Sequence, residues 1–263
     1  MGYDKRIDGR RPDELRPIVA RAGVIKRADG SAMFKIGNTV AYAAVYGPRD
    51  LFPRFLQDPQ RGILRCRYNM MPFSGAGERV KPGGSRRSKE ISMVTANALL
   101  PVLNLEDFPN AVVDVFIELT QTDAGTRCAG ICAAAIALAD AGLSMKDLVS
   151  SVSVGKVGDM IVVDLNYDEE SYNEGGDVAD VPVAFIPRTG QMTLLQMDGL
   201  IDKDSLRKGL EMGRKACLQI YEIQKKALKD KFASGVAVNG SGITFLPKKV
   251  NQKNDDGSGD KNE

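Results

Sequence analysis

A strand that runs into an apolar helix constrains the fold of this chain more than any other stretch. Residues 112–119 read VVDVFIEL, which predicts a strand, and the chain then passes through TDAGT into a helix extending to Ala141. The longest apolar run, residues 131–139, lies in that helix and is too short to cross a bilayer. This unit therefore predicts a soluble protein that contains both helices and strands.

The rest of the chain supplies more strands than helices. A hairpin is predicted around Gly37-Asn38, and Ser85 can cap a helix that reaches Val102. A long helix is predicted to begin near Asp202. Further strands are predicted at residues 32–36, 39–46, 63–69, 152–157, 160–165, 181–186 and 193–197. Because strands and helices alternate only in part, the pattern favours an α+β fold over a doubly wound sheet.

The 263 residues include no histidine, which limits the chemistry available to the chain. Triads built on histidine, zinc sites with imidazole ligands and imidazole acid–base catalysis are all excluded. The four cysteines have no CxxC spacing, so we expect reduced packing residues in a cytoplasmic protein without a signal peptide. The net charge of +2 says nothing about a nucleic-acid partner, so such an argument needs local clustering.

One local cluster is strongly basic. Residues 61–89 contain eight arginines and lysines and a single acid, Glu78, for a local charge of +7. Arg65 and Arg67 are predicted to share one face of a strand. Arg86 and Arg87 fall in the first turn of a helix, where cations oppose the macrodipole. A solvated loop is the simpler interpretation, but these placements favour a site for phosphate or a polyanion.

Two further segments can serve such a site. Gly125 allows a tight turn, Thr126 can cap the helix that follows, and Arg127 again stands where the dipole disfavours a cation. This pattern fits either a simple helix cap or an oxyanion site. In the acidic loop of residues 168–180, Asp180 directly precedes the apolar run VPVAF and can be partly desolvated, so it could hold Mg²⁺. Together the segments suggest phosphoryl transfer.

Four ordered motifs resemble the RNase PH family, across residues 5–232. They are RIDGR with ELRP at residues 6–17, RRSKEI at 86–91, DAGTR at 123–127 and ADVPV at 179–183. Within that family the chain is most similar to the catalytic RNase PH-type subunits of archaeal exosomes. The resemblance implies an α+β fold built of βα units like domain 2 of ribosomal protein S5, with mixed sheets packed against helices. It divides the chain into an N-terminal core (1–148) and a C-terminal part (149–246), and the polar composition after Pro247 predicts a disordered tail (247–263).

The resemblance also implies an activity and partners. The activity is phosphorolytic 3′→5′ exoribonuclease action, in which inorganic phosphate is the co-substrate and nucleoside diphosphates are released, with 3′ tailing as the reverse reaction. The partners are RNA, a non-catalytic RNase PH-like paralogue in a hexameric ring of three heterodimers, and cap subunits with S1 or KH domains. No membrane partner is implied.

Site residues follow from the same motifs. The phosphate-binding set is Gly125, Thr126, Arg127 and Cys128, although relatives often carry a hydroxyl residue where Cys128 stands. Asp180 is the essential carboxylate and Glu174 the second acid, and both are the expected Mg²⁺ ligands. RNA phosphates are expected on Arg86 and Arg87, with Arg65 and Arg67 contacting RNA farther along the ring channel.

Two other hypotheses remain open at this point. A non-catalytic RNA-binding subunit of the same kind of ring is expected to lack the acid and the phosphate-loop arginine, whereas this chain has both Asp180 and Arg127. An enzyme that binds a small phosphorylated molecule has no need of Arg65, Arg67 and the basic cluster around them.

Overall fold

The computed structural model describes residues 5–75, 79–81, 84–172, 178–233, 238–239 and 242–243. The helices are α1 (Arg86–Leu99), α2 (Thr126–Asp140), α3 (Tyr167–Glu170) and α4 (Lys203–Ala233). The strands are β1 (Ile18–Ala22), β2 (Gly30–Ile36), β3 (Thr39–Asp50), β4 (Ile63–Met70), β5 (Ala111–Gln121), β6 (Ser150–Val157), β7 (Met160–Val163), β8 (Val178–Ile186), β9 (Gln191–Leu195), β10 (Val238–Asn239) and β11 (Gly242–Ile243).

The first sheet has five strands in the order β1-β2-β3-β5-β4. Its members pair antiparallel except β4 and β5, which are parallel and joined by α1 as the crossover helix. Alternation along β4 buries Leu64, Cys66 and Tyr68 and leaves Arg65 and Arg67 on the exposed face, as the sequence pattern predicted.

The second sheet has four antiparallel strands in the order β7-β6-β8-β9. The first sheet lies entirely before residue 148 and the second entirely after it, and the domain division at that position stays a prediction. One continuous hydrophobic core draws on the two sheets together, so they fold around shared packing.

Helix α2 lies at the centre of that core. It packs against strands of both sheets, including β2, β3 and β6, and its residues from Ile131 to Leu138 are completely buried. Contact with β2 is so close that a Cβ added at Gly30 would lie 2.3 Å from the carbonyl oxygen of Ala137. A helix that is apolar on all sides must be buried on all sides. Packing against both sheets fixes the position of the amino end of α2.

Helix α4 covers the second sheet and reaches β1. At Gly213 an added Cβ would lie 2.9 Å from Val154, so glycine lets this helix lie against β6. Buried Cys217, Ile220 and Ala227 continue the same face, which confirms the predicted spacing.

Most predicted elements are confirmed, and four were missed: β1, α3 and the two-residue strands β10 and β11. Strand β1 lies in the basic N-terminal segment, and α3 forms one turn within the stretch predicted as an acidic loop. In the part of the chain that the structure describes, no helix is long and apolar enough to cross a membrane. The tail predicted at 247–263 lies outside the described residues.

Candidate active site

A cleft of about 940 Å³ opens where α1, α2, α3 and β8 approach one another. Its walls carry Thr126 and Arg127 from α2, Asp180 from β8, and Arg87 from α1. These residues come from segments up to 93 positions apart in sequence, and the tertiary fold brings them to one cavity. A single cavity therefore contains the phosphate loop (residues 123–127), the Asp180 carboxylate and one arginine of the basic cluster.

The amino end of α2 presents free backbone amides to this cleft. Gly125 precedes the helix with φ 61° and ψ 22°, a left-handed conformation that favours glycine. The prediction that Thr126 caps the helix is wrong, because Gly125 is the cap residue and no side chain bonds there. The Thr39 hydroxyl donates to the carbonyls of Asp123 and Ala124, at 2.9 and 2.8 Å. The amides of the first turn have no partner within the helix and can bind an anion.

Arg127 adds a full positive charge beside those amides. Its Nη1 donates to Oε1 of Gln196, and its charge lowers the pKa of both Asp180 and Glu170, partly offsetting the effect of burial. A guanidinium at a helix amino end opposes the macrodipole, so an anion that binds both relieves this conflict.

Asp180 is partly buried in β8 and is held from two sides. Its backbone exchanges two hydrogen bonds of 2.8 Å with Asp198, and the Ser153 hydroxyl donates to its Oδ1. Burial raises the pKa of Asp180, and the Asp198 carboxylate adds to that increase. Its carboxyl group is therefore more easily protonated than an ordinary aspartate.

Glu170 is a second acid in the cleft, and sequence analysis did not single it out. It ends α3 and lines the cavity with Asp180, and its pKa is raised by burial and then by the Asp180 charge. A capping box between Asn166 and Glu169 fixes the turn that carries it. This capping box is the sequence feature that could have predicted the turn. Glu174, the predicted second acid, lies outside the described residues.

The two arginines at the start of α1 differ in position. Ser85 caps the helix by accepting from the Ser88 amide at 3.0 Å, as predicted. Both side chains are exposed, but Arg87 lines the cleft and Arg86 does not belong to the cleft lining. Of the predicted pair, only Arg87 is placed to reach a ligand shared with Asp180.

Family comparisons agree with this architecture. Residues 14–144 match the model of domain 1 of the 3′ exoribonuclease family, RNase PH, and residues 147–216 match domain 2. The chain belongs to the RNase PH family of 3′ exoribonucleases. It is 49% identical over 227 residues to exosome complex component Rrp41 of Methanopyrus kandleri, covering 86% of this chain and 93% of that protein. Against Rrp41 of Thermococcus kodakarensis the identity is 53% over 228 residues, covering 87% and 90%.

Solved structures of similar proteins share this RNase PH fold. Rice Rrp46 superposes with a TM-score of 0.72 at 24% identity, covering 85% of this chain and all of that one. A chain of the Archaeoglobus fulgidus exosome, solved with RNA bound to the active site, gives a TM-score of 0.70 at 23% identity, covering 83% and 92%. The predicted α+β fold is confirmed.

In this member of the RNase PH family, Arg65 and Arg67 lie away from the cleft lining. Arg65 forms two hydrogen bonds to the buried carboxylate of Asp114, at 2.5 and 2.9 Å, and Arg49 reaches the same carboxylate at 2.6 Å. Arg67 is exposed and has no ion-pair partner among the described residues. Arg67 is therefore the freer of the two for contact with an anion.

Arginines of the N-terminal segment, residues 6–16, form ion pairs and hydrogen bonds with the elements that line the cleft. Arg6 and Glu169 form a fully buried ion pair at 2.7 Å, which anchors the helix that carries Glu170. Arg16 binds Asp164 at 2.7 Å and donates to the carbonyl oxygen of Asp123, next to the phosphate loop. The RIDGR and ELRP motifs therefore help to position α3 and the phosphate loop.

Cys128 contributes no charged group to the cleft. All four cysteines are free and buried, as the sequence predicted. Burial raises the pKa of the Cys128 thiol to about 12, so it stays protonated at neutral pH. Unlike the predicted phosphate-binding residues Gly125, Thr126 and Arg127, Cys128 is not among the residues that line the cleft.

Proposed function

We propose that this chain is the catalytic subunit of an exosome and degrades RNA from the 3′ end by phosphorolysis. One observation carries the proposal: the free amides at the start of α2, Arg127 and Asp180 line the same cleft. Membership of a 3′ exoribonuclease family and about 50% identity to proteins named Rrp41 support it. A non-catalytic ring subunit does not require a carboxylate opposite an anion site, so the catalytic hypothesis fits better.

The residues of the cleft suggest how the reaction proceeds. The α2 amides and Arg127 hold inorganic phosphate, while Arg87 neutralises the last phosphodiester of the RNA. A phosphate oxygen attacks that phosphorus atom, and the bond to the preceding 3′ oxygen breaks. The products are a nucleoside diphosphate and RNA shortened by one nucleotide with a free 3′ hydroxyl. The ionised Asp180 carboxylate, whose pKa is raised, takes a proton from the attacking phosphate and delivers it to the leaving 3′ oxygen.

The acids present also fit a magnesium ion. Mg²⁺ is commonly held by one or two carboxylates together with substrate phosphates and water, and Asp180 and Glu170 provide two carboxylates on one cleft. No cluster of three or more acids, cysteines or histidines fit for a metal occurs among the described residues, so Asp180 and Glu170 would hold the ion together with substrate phosphates and water. When bound, the ion would neutralise charge on the reacting phosphates.

The assembly is part of the proposal. Relatives named as exosome components support RNA and an RNase PH-like paralogue as partners. We further propose the hexameric ring of three heterodimers, capped by subunits with S1 or KH domains, and a cytoplasmic location. In such a ring Arg67, which has no ion-pair partner in the described part of the chain, is available to hold RNA outside the cleft.

A product assay tests the activity directly. The full chain, alone and with its paralogue, is incubated with RNA labelled along its length, Mg²⁺ and inorganic phosphate. Nucleoside diphosphates are expected, and their yield should depend on phosphate. Nucleoside monophosphates would instead indicate hydrolysis and contradict the proposal.

A matched variant assigns the reaction to the cleft. Asp180→Asn should abolish phosphate-dependent shortening while leaving RNA binding nearly intact, because the amide keeps the shape of the side chain without its charge. Asp159→Asn, at an exposed turn between β6 and β7, serves as the control and should retain full activity. Retained activity in Asp180→Asn would show that another group performs the reaction.

A further inference from the structure

We propose that Gln196 is a positioning residue that keeps the Arg127 guanidinium available for phosphate, an inference that rests on the proposed function. Gln196 lies directly after β9, outside the predicted site. Its Oε1 accepts from Nη1 of Arg127, and its Nε2 donates to Oε1 of Glu90 at 3.0 Å. The three side chains form a continuous relay from α2 to α1.

A side-chain amide suits the middle of this relay. A guanidinium can only donate hydrogen bonds and an ionised carboxylate can only accept them, so the residue between Arg127 and Glu90 must do both. A glutamine amide accepts with its oxygen and donates with its nitrogen, and it carries no charge. The two outer partners therefore fix the orientation of the Gln196 amide.

The backbone of Gln196 is anchored beside the cleft. Its amide donates to the carbonyl oxygen of Pro182 at 3.1 Å, two residues beyond Asp180 in β8. Glu90 stands three residues after Arg87, so it lies on the same turn of α1 as the other cleft arginine. Gln196 thus connects the three elements that carry Arg87, Arg127 and Asp180.

The relay matters because Arg127 has competing partners. The charges of Asp180 and Glu170 both interact with it across the cleft. An unrestrained guanidinium would pair with one of these carboxylates, and its charge would then be lost to an incoming phosphate. Gln196 gives Arg127 a neutral partner instead, which holds the side chain in place and preserves its charge.

Steady-state kinetics of the assembled complex test this role. Gln196→Met removes both hydrogen bonds at similar volume and should raise the KM for phosphate about tenfold. Its kcat at saturating phosphate should change by less than about threefold. Gln191→Met, on the exposed start of β9, is the matched control and should leave both constants unchanged.

Variants of Glu90 separate positioning from packing. Glu90→Ala removes the outer acceptor and should raise the KM for phosphate about threefold, whereas Glu90→Gln keeps an acceptor oxygen and should restore the wild-type value. An unchanged KM in Gln196→Met, or equal effects of the two Glu90 variants, would overturn the inference. Titration of each variant with inorganic phosphate measures its affinity without turnover, and the affinities should fall in the same order as the KM values rise. The relay is therefore tested even if the wild type releases no diphosphate.

Discussion

At the residue scale, the cleft keeps charged groups where folding disfavours them. Asp180 and Glu170 are carboxylates whose pKa values are raised by burial, and Arg87 and Arg127 stand at helix amino ends. Each placement costs folding free energy, and active sites commonly trade stability for function in this way. Removing such a charge should therefore affect stability and activity in opposite directions.

The first prediction concerns the stability of Asp180→Asn. Because the pKa of Asp180 is raised in the folded state, the ionised side chain lowers stability as the pH rises above the ordinary range of aspartate. Asparagine removes that cost and can still accept from Ser153. We expect a Tm at pH 7.5 higher than wild type by on the order of 2 °C, with the difference shrinking toward pH 4. Calorimetry at the two pH values checks this, and a lower Tm at pH 7.5 would contradict it.

The second prediction concerns Asp198 and the pH profile. Its charge helps to raise the pKa of Asp180 and of Glu170, while its contact with Asp180 is made through backbone atoms that a substitution leaves in place. Asp198→Asn should therefore lower both pKa values. Because the proposed mechanism needs the ionised carboxylates, the acid limb of kcat/KM should move to lower pH, and Asp159→Asn should leave it in place. An unmoved limb in Asp198→Asn would mean that other groups control it.

At the scale of elements, the cleft depends on how α1, α2 and α3 are anchored. Helix α2 is fixed by burial between two sheets, and α1 is fixed as the crossover between β4 and β5. The short α3 is only one turn long and cannot be stable alone. Its position depends on the ion pair between Arg6 and Glu169.

The third prediction tests that anchor. Arg6→Ala removes the two short hydrogen bonds from Arg6 to the buried Glu169 carboxylate and leaves the longer ion pair with Arg10 at 3.8 Å, so it should lower the free energy of unfolding by about 3–5 kcal/mol. Arg11→Ala, which removes a largely exposed arginine of the same segment, should change it by less than about 0.5 kcal/mol. Urea denaturation measures both variants. Similar small decreases in the free energy of unfolding for both variants would show that the buried ion pair does not anchor α3.

At the scale of the whole molecule, function depends on where charge lies rather than on how much there is. The net charge is only +2, yet the basic cluster reaches the cleft through Arg87 and one exposed sheet edge through Arg67. A polyanion that spans both regions would contact a continuous set of arginines. Its binding should then depend steeply on salt.

The fourth prediction follows from this distribution. Arg86→Glu combined with Arg87→Glu should weaken RNA binding and flatten its dependence on salt, because each lost phosphate contact releases about one counterion fewer. Lys226→Glu with Lys229→Glu changes the net charge equally on the exposed face of α4 and is the control. Affinities measured between about 50 and 200 mM salt compare the slopes. Equal slopes in both double variants would indicate a nonspecific charge effect.

Most helices and strands of this protein, and the limits on its chemistry, can be predicted from the amino-acid sequence. Local periodicity was enough to predict α2 and the face of α4, and motif order was enough to indicate the RNase PH family. These features depend on neighbours along the chain, which a sequence displays directly. The absence of histidine likewise limited the chemistry before any fold was known.

Which of these residues lie in contact depends on how the helices pack against the sheets. Arg86 and Arg87 are adjacent in sequence, but the direction of α1 places just one of them on the cleft. Gln196 has no distinctive local pattern, and the capping box beside Glu170 indicates only a helical turn, because the roles of both residues come from partners on other elements. Such contacts between distant parts of the chain form only when the shared core fixes the helices against the sheets.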